Sequence, residues 1–170
     1  MRRTFKLTMI MISLCSFLCC SAQSKVDNSV QGDLNLDRYL GQWYEIARFD
    51  HKFERGIQYS RANYSLREDG KVQVINSGIK NGKEKEAKGK AKLTDTKRIL
   101  RVSFFGPFYG DYRIMLLDPD YQYVLVGGSN DKYLWILSRT PQLQDDVRKK
   151  LLDEATRRGY DVEKLIWVAQ

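Results

Sequence analysis

The stretch LGQWYEIARFD, residues 40–50, places a glycine two positions before a tryptophan and then alternates its side chains. Glycine accepts backbone angles that other residues avoid, so Gly41 reads as the last turn position before a strand. Trp43, Glu45 and Ala47 then share one face of that strand, because successive side chains point to opposite sides. An indole at the start of such a face suits a closed apolar interior.

Working outward, the chain breaks into runs of period-2 patterning at 43–49, 59–66, 71–79, 84–93, 98–104, 111–117, 121–127 and 132–138. Between them lie turn sequences such as Glu68-Asp69-Gly70, Asn81-Gly82, Gly106-Pro107 and Asp118-Pro119-Asp120. No stretch of helical length separates these runs, so neighbours in sequence pair antiparallel. Eight such strands predict an all-β fold, an up-and-down barrel, since closure removes the exposed edges and leaves room for one small ligand.

After Pro141 the period changes. Leu143, Val147, Leu151 and Ala155 recur at helical spacing, with Thr140 expected as N-cap, Pro141 in the first turn and Arg157, Arg158 and Gly159 at the end. One amphipathic C-terminal helix outside the barrel follows, and KLIWVAQ, residues 164–170, supplies a short closing strand. With alternating strand directions, the start of the first strand and the end of the eighth share one end of the barrel. Trp43 and Arg139 should meet there, the guanidinium stacked on the indole.

These residues resemble the lipocalin family: Gly41-x-Trp43 at the first strand, Asp120-Tyr121 before the seventh, and Arg139 after the eighth, followed by a helix. YLGQWYEIARFDHKFERG, VSFFGPFYG and YLWILSRTP are similar to the bacterial outer-membrane lipocalin group, itself similar to apolipoprotein D. Pro119 departs from the threonine common in the family turn, and proline suits a turn equally. The resemblance covers residues 36–170 and implies a calyx that holds small hydrophobic ligands, fatty acids or lysophospholipids above all, in the bacterial envelope. A homodimer is also compatible with it.

The first 22 residues read as a secretory signal: Arg2, Arg3 and Lys6, then an apolar run from Leu7 to Leu18, then small residues ending at Ala22. A polar leader, residues 23–35, follows. All three cysteines, Cys15, Cys19 and Cys20, lie in or beside the signal, so the mature domain contains no disulfide. Cleavage after Ala22 removes them all. Cleavage before Cys19 or Cys20 leaves a thiol for a lipid, although Phe17 and Leu18 are bulkier than a lipoprotein signal usually shows. The protein is thus expected in the periplasm or on the outer membrane, with membrane association if a cysteine is acylated.

Of 170 residues, 29 are basic and 21 acidic, and removing Arg2, Arg3 and Lys6 leaves a balance of +5. The basic residues are interleaved with acidic ones, as in NGKEKEAKGKAK at 81–92, which argues against a nucleic-acid partner. His51 is the only histidine, and no metal-ligand spacing or phosphate loop appears, so no enzyme activity, metal or cofactor is expected.

Phasing each strand from Trp43 puts Ala47, Ala62, Tyr64, Val74, Asn76, Val102, Phe104, Tyr112, Ile114, Val126, Tyr133 and Trp135 on the inner wall, with Glu45, Ala87 and Gly89 in the same set. The small residues keep one wall from filling the lumen; the alternative is that the aromatics pack it solid. Lys52, Phe53, Arg55, Lys83, Phe108 and Lys132 belong to loops at the open end, a mouth suited to an anionic or zwitterionic head group. On a filled barrel, those same loops would instead serve a protein-interaction module.

Overall fold

A computed structural model describes residues 26–170; the signal segment with Cys15, Cys19 and Cys20 lies outside the described residues. Eight antiparallel strands form the barrel: β1 (Gly41–Arg48), β2 (Gln58–Leu66), β3 (Val72–Lys80), β4 (Lys83–Leu93), β5 (Ile99–Phe105), β6 (Phe108–Leu117), β7 (Tyr123–Gly127) and β8 (Leu134–Ser138). Each pairs with the next in sequence, and β1 pairs with both β8 and β2, which closes the cylinder. Helix α2 (Asp145–Arg157) packs outside, and β9 (Ile166–Trp167) pairs with β1. The expected all-β barrel with one external helix is the observed fold.

Two apolar layers hold it together. Inside the barrel, Trp43, Val72, Val74, Leu100, Ile114, Val124 and Val126 pack into one cluster. Outside, Leu151 and Ala155 of α2 cover Ile46, Met115, Leu125 and Ile136 on the outer wall. Both layers follow from strand alternation, which gives the strands beneath the helix two apolar faces and the rest only one.

Three details differ from the sequence expectation. The helix begins at Asp145 with Gln144 as its N-cap, because Thr140 is engaged elsewhere: its backbone amide donates to Ser138 Oγ and its hydroxyl to the Gln142 carbonyl. A short helix, α1 (Leu36–Tyr39), precedes β1, capped by the Asn35 side chain accepting from the Arg38 amide at 3.2 Å. A register shift between Glu45 and Ala47 changes the phase of β1. Ala47 therefore lies opposite Ile136 and packs in the outer layer, and Arg48 turns inward opposite Trp135.

One barrel end is plugged. Arg139 places its guanidinium 3.9 Å from the Trp43 ring centroid and donates to the carbonyls of Gln42, Arg38 and Leu40 at 2.7, 2.7 and 2.9 Å. Gly41 has φ +90°, an angle that suits glycine at the turn, while a Cβ there would make only ordinary contact with Arg139 Nη1 at 3.5 Å. The Trp43 indole donates to the Tyr39 carbonyl at 2.8 Å. Tyr121, at φ +60°, accepts the Asn35 amide on its hydroxyl and lies 4.4 Å beneath the Arg38 guanidinium, whose other neighbour is the exposed carboxylate of Asp120 at 3.8 Å.

Candidate functional site: a cavity at the open end

The opposite end holds a cavity of about 250 Å³. Its walls combine Ala62, Tyr64, Val74, Asn76, Val102, Phe104, Tyr112, Tyr133 and Trp135 with Leu137, Gly110, Asp111, Gly128 and Ser129. Gly89 lets the Phe104 ring lie flat against β4, since a Cβ there would come within 2.8 Å of that ring. Tyr133 and Trp135 stack with 9° between their planes. Ile114 and Val126 also face inward, but they belong to the packed layer beneath the cavity.

The floor is a hydrogen-bonded tyrosine group. Tyr112 Oη lies 2.6 Å from Tyr39 Oη and accepts from Tyr64 Oη at 3.1 Å. Burial pushes all three phenols above their ordinary range, so they remain neutral.

The loop joining β1 to β2 dips into the mouth. Arg48, turned inward by the register shift, pairs with Glu45 and donates to the carbonyls of Glu54 and Ile57, both at 2.9 Å. These bonds pin the loop so that Glu54 reaches the cavity wall, where it accepts from the Trp135 indole at 3.1 Å. Burial, with neighbouring Glu45 adding to it, pushes the Glu54 carboxyl up to about 8, and burial also raises Glu45. His51 Nε2 lies 3.1 Å from Glu54 Oε2 but out of line for a hydrogen bond, and its ring stacks on Phe53 at 4.1 Å. Burial, then the Arg48 charge, lowers His51 to about 4, so a neutral acid faces a neutral imidazole near pH 7.

Of the residues expected at the mouth, Phe53 lines the cavity. Lys52, Arg55, Lys83, Phe108 and Lys132 stand outside its surface, exposed on the surrounding loops, and Arg55 pairs with Asp50. Ala87 is exposed at the rim. Sequence reasoning missed Glu54 and the Gly128–Ser129 backbone, which lie in loops where alternation gives no phase, and also Gly110, just outside the run read at 111–117, and Asp111, which alternation from Tyr112 turned outward. Leu137 was reachable by carrying the Trp135 phase one step further.

A family model described as a lipocalin-like domain matches residues 34–170. The chain belongs to the lipocalin family. Among relatives of this lipocalin, the outer membrane lipoprotein Blc of Escherichia coli (strain K12) is 49% identical over 156 residues, covering 89% of this chain and 88% of that protein. Apolipoprotein D of Mus musculus is 34% identical over 147 residues, covering 80% and 77%. The solved structure of insecticyanin from the tobacco hornworm Manduca sexta superposes with a TM-score of 0.69 at 21% identity, covering 84% of this chain and 85% of that one, which attests the fold. The resemblance to the bacterial outer-membrane group thus holds, and with it a place in the cell envelope, at the outer membrane or in the periplasm.

Proposed function

We propose that this lipocalin binds, stores or carries fatty acids or lysophospholipids in the bacterial envelope, as a binding protein and not a catalyst. The observation that carries this reading is the open cavity itself, with Val74, Val102, Phe104, Tyr133 and Trp135 on its walls. Ligand sites commonly span about 300 to 1,000 Å³, so this one takes part of a long acyl chain and leaves the remainder at the mouth. Burying roughly eight methylenes at about 0.8 kcal/mol each contributes roughly 6 kcal/mol, against the cost of immobilising the ligand.

The polar groups divide accordingly. Arg48 commits its two terminal nitrogens to Glu45 and two carbonyls and keeps only its buried Nε without a protein partner, so it offers little to a ligand. Asn76 Oδ1 is buried without a protein partner and presents an acceptor to a hydroxyl or amide of whatever fills the cavity. An anionic head stays outside, beside Lys52, Lys83 and Lys132. An acyl group on Cys19 or Cys20, outside the described residues, would hold the protein at the membrane. The scaffold alternative, in which loops bind a protein over a filled barrel, is disfavoured by the unfilled lumen.

Delipidated protein titrated against a bound fluorescent fatty acid tests the reading. Saturable displacement by palmitate and by lysophospholipid is the expected result; its absence would leave the barrel a scaffold.

A further inference from the structure

The cavity does not account for the most exposed large apolar side chains among the described residues. Phe105 and Phe108 are each 79% exposed, directly opposite one another at the tip of the β5–β6 hairpin, and neither lines the cavity. That tip stands at the open end, because the β1–β2, β3–β4, β5–β6 and β7–β8 connections all fall there. Phe53, 57% exposed, stands on the β1–β2 loop across the mouth. Two phenylalanines held in water on a rigid hairpin serve no packing purpose in the isolated chain.

Unpaired positive charge marks the open end. At the open end Lys52, Lys83 and Lys132 are exposed and form no ion pair among the described residues. At the closed-end turns Glu68, Asp69, Asp95, Asp118 and Asp120 stand among Arg67, Lys71, Lys97 and Arg98, and ion pairs there engage Arg67 and Lys71 with Asp69 and Lys97 with Asp33. An apolar tip at an end that bears unpaired lysines is complementary to a bilayer containing anionic phospholipid, whose surface attracts basic residues.

The course of the N-terminal segment points the same way. Residues 26–35 form a strap along the outside of the barrel. At the open end, the Asn28 side chain donates to the Gly128 carbonyl at 3.2 Å and the Asp27 amide to the Arg158 carbonyl at 2.8 Å. At the closed end, the Asp33 carbonyl accepts from Arg98 at 3.2 Å and the Asn35 amide donates to Tyr121 Oη at 2.9 Å. The chain therefore enters the fold beside the mouth. Five residues lie between Cys20 and Val26, six steps of chain with a reach of about 20 Å when fully extended. A lipid at either cysteine would hold the point where the chain enters, beside Gly128, within about that reach of the membrane.

We propose that the open end, led by Phe105 and Phe108 and flanked by Lys52, Lys83 and Lys132, docks on the surface of an anionic phospholipid bilayer, so that the cavity opens onto the membrane. This deepens the lipid-binding reading and rests on it only for what passes through the mouth. Docking itself needs no ligand.

The test uses the full chain as processed and purified from the envelope, with vesicles of phosphatidylethanolamine and phosphatidylglycerol containing phospholipid brominated near the head of the acyl chain. Phe108→Trp places a reporter at the tip, and Leu93→Trp places one at the closed end. The added emission of Phe108→Trp should be quenched severalfold more than that of Leu93→Trp. Adding Phe105→Ser to Phe108→Trp should reduce the quenching, as should phosphatidylcholine vesicles or raised salt. Equal quenching of both reporters, or of neither, would overturn the proposal. Fatty-acid displacement run on the same samples separates the two claims: displacement without tip quenching overturns docking alone, and tip quenching without displacement overturns the ligand reading alone.

Discussion

Trp43 is buried completely, stacks against Arg139 and donates its indole hydrogen to the Tyr39 carbonyl, so three separate parts of the chain depend on it. Trp43→Ala should cost about 3 to 5 kcal/mol, combining a cavity with the lost stack. Urea denaturation checks this; a loss below 1 kcal/mol would mean that the plug does not hold the end together. At the other end, Glu54 and His51 give stability a pH dependence of opposite signs. An unfolded glutamate ionises near 4.3, whereas buried Glu54 keeps its proton to about 8, so its contribution is complete at low pH and is lost as pH rises to 8. His51 is held near 4 against roughly 6.5 when unfolded, so its contribution is present above 6.5 and lost as pH falls to 4. Above pH 6.5 only the glutamate effect remains, shared with its partner Glu45. Stability should therefore decline from pH 6.5 to 8, and Glu54→Gln should flatten that decline in denaturation curves across the window.

Among the elements, β1 does the most: it closes the barrel on both sides, carries the plug at its start and, through its register shift, sends Ala47 outward and Arg48 inward. The phase of β2 and β3 was legible from alternation, because each runs without interruption through residues 62–64 and 74–76 of the wall, and Val102 and Phe104 of β5 keep the expected face although its pairing with β6 shifts register between Val102 and Phe105. The β1 shift was not, since a bulge depends on what a strand pairs with and leaves no mark in apolar periodicity. Ala62 lies on the cavity wall opposite Trp43 and Asn76, where β2 offers its smallest side chain. Ala62→Trp should stay folded and lose fatty-acid displacement, because the indole occupies space the ligand would take. A thermal melt beside the titration decides it; a variant that binds normally would put the ligand elsewhere.

Taken whole, the molecule is polarised, with a plugged end whose charges are paired or balanced, an open end bearing free lysines and exposed aromatics, and a strap that brings the N-terminal side to the open end. Export is the property on which the rest depends. The mature form should lack the first 18 to 22 residues, and intact mass of envelope-purified protein should show either cleavage after Ala22 or an acylated Cys19 or Cys20. Retention of Met1 would remove the envelope from the account. By itself the sequence determined the strand count, the closed barrel, the external helix and the stack of Arg139 on Trp43, because alternation and turn chemistry are local and strand direction then follows by counting. Only the tertiary structure decided that Arg48 and Glu54 meet inside the mouth, that three tyrosines form the floor, and that Phe105 and Phe108 stand free beside the point where the chain enters. Those depend on loop conformation and on contacts between residues far apart in sequence, where a local pattern carries no phase.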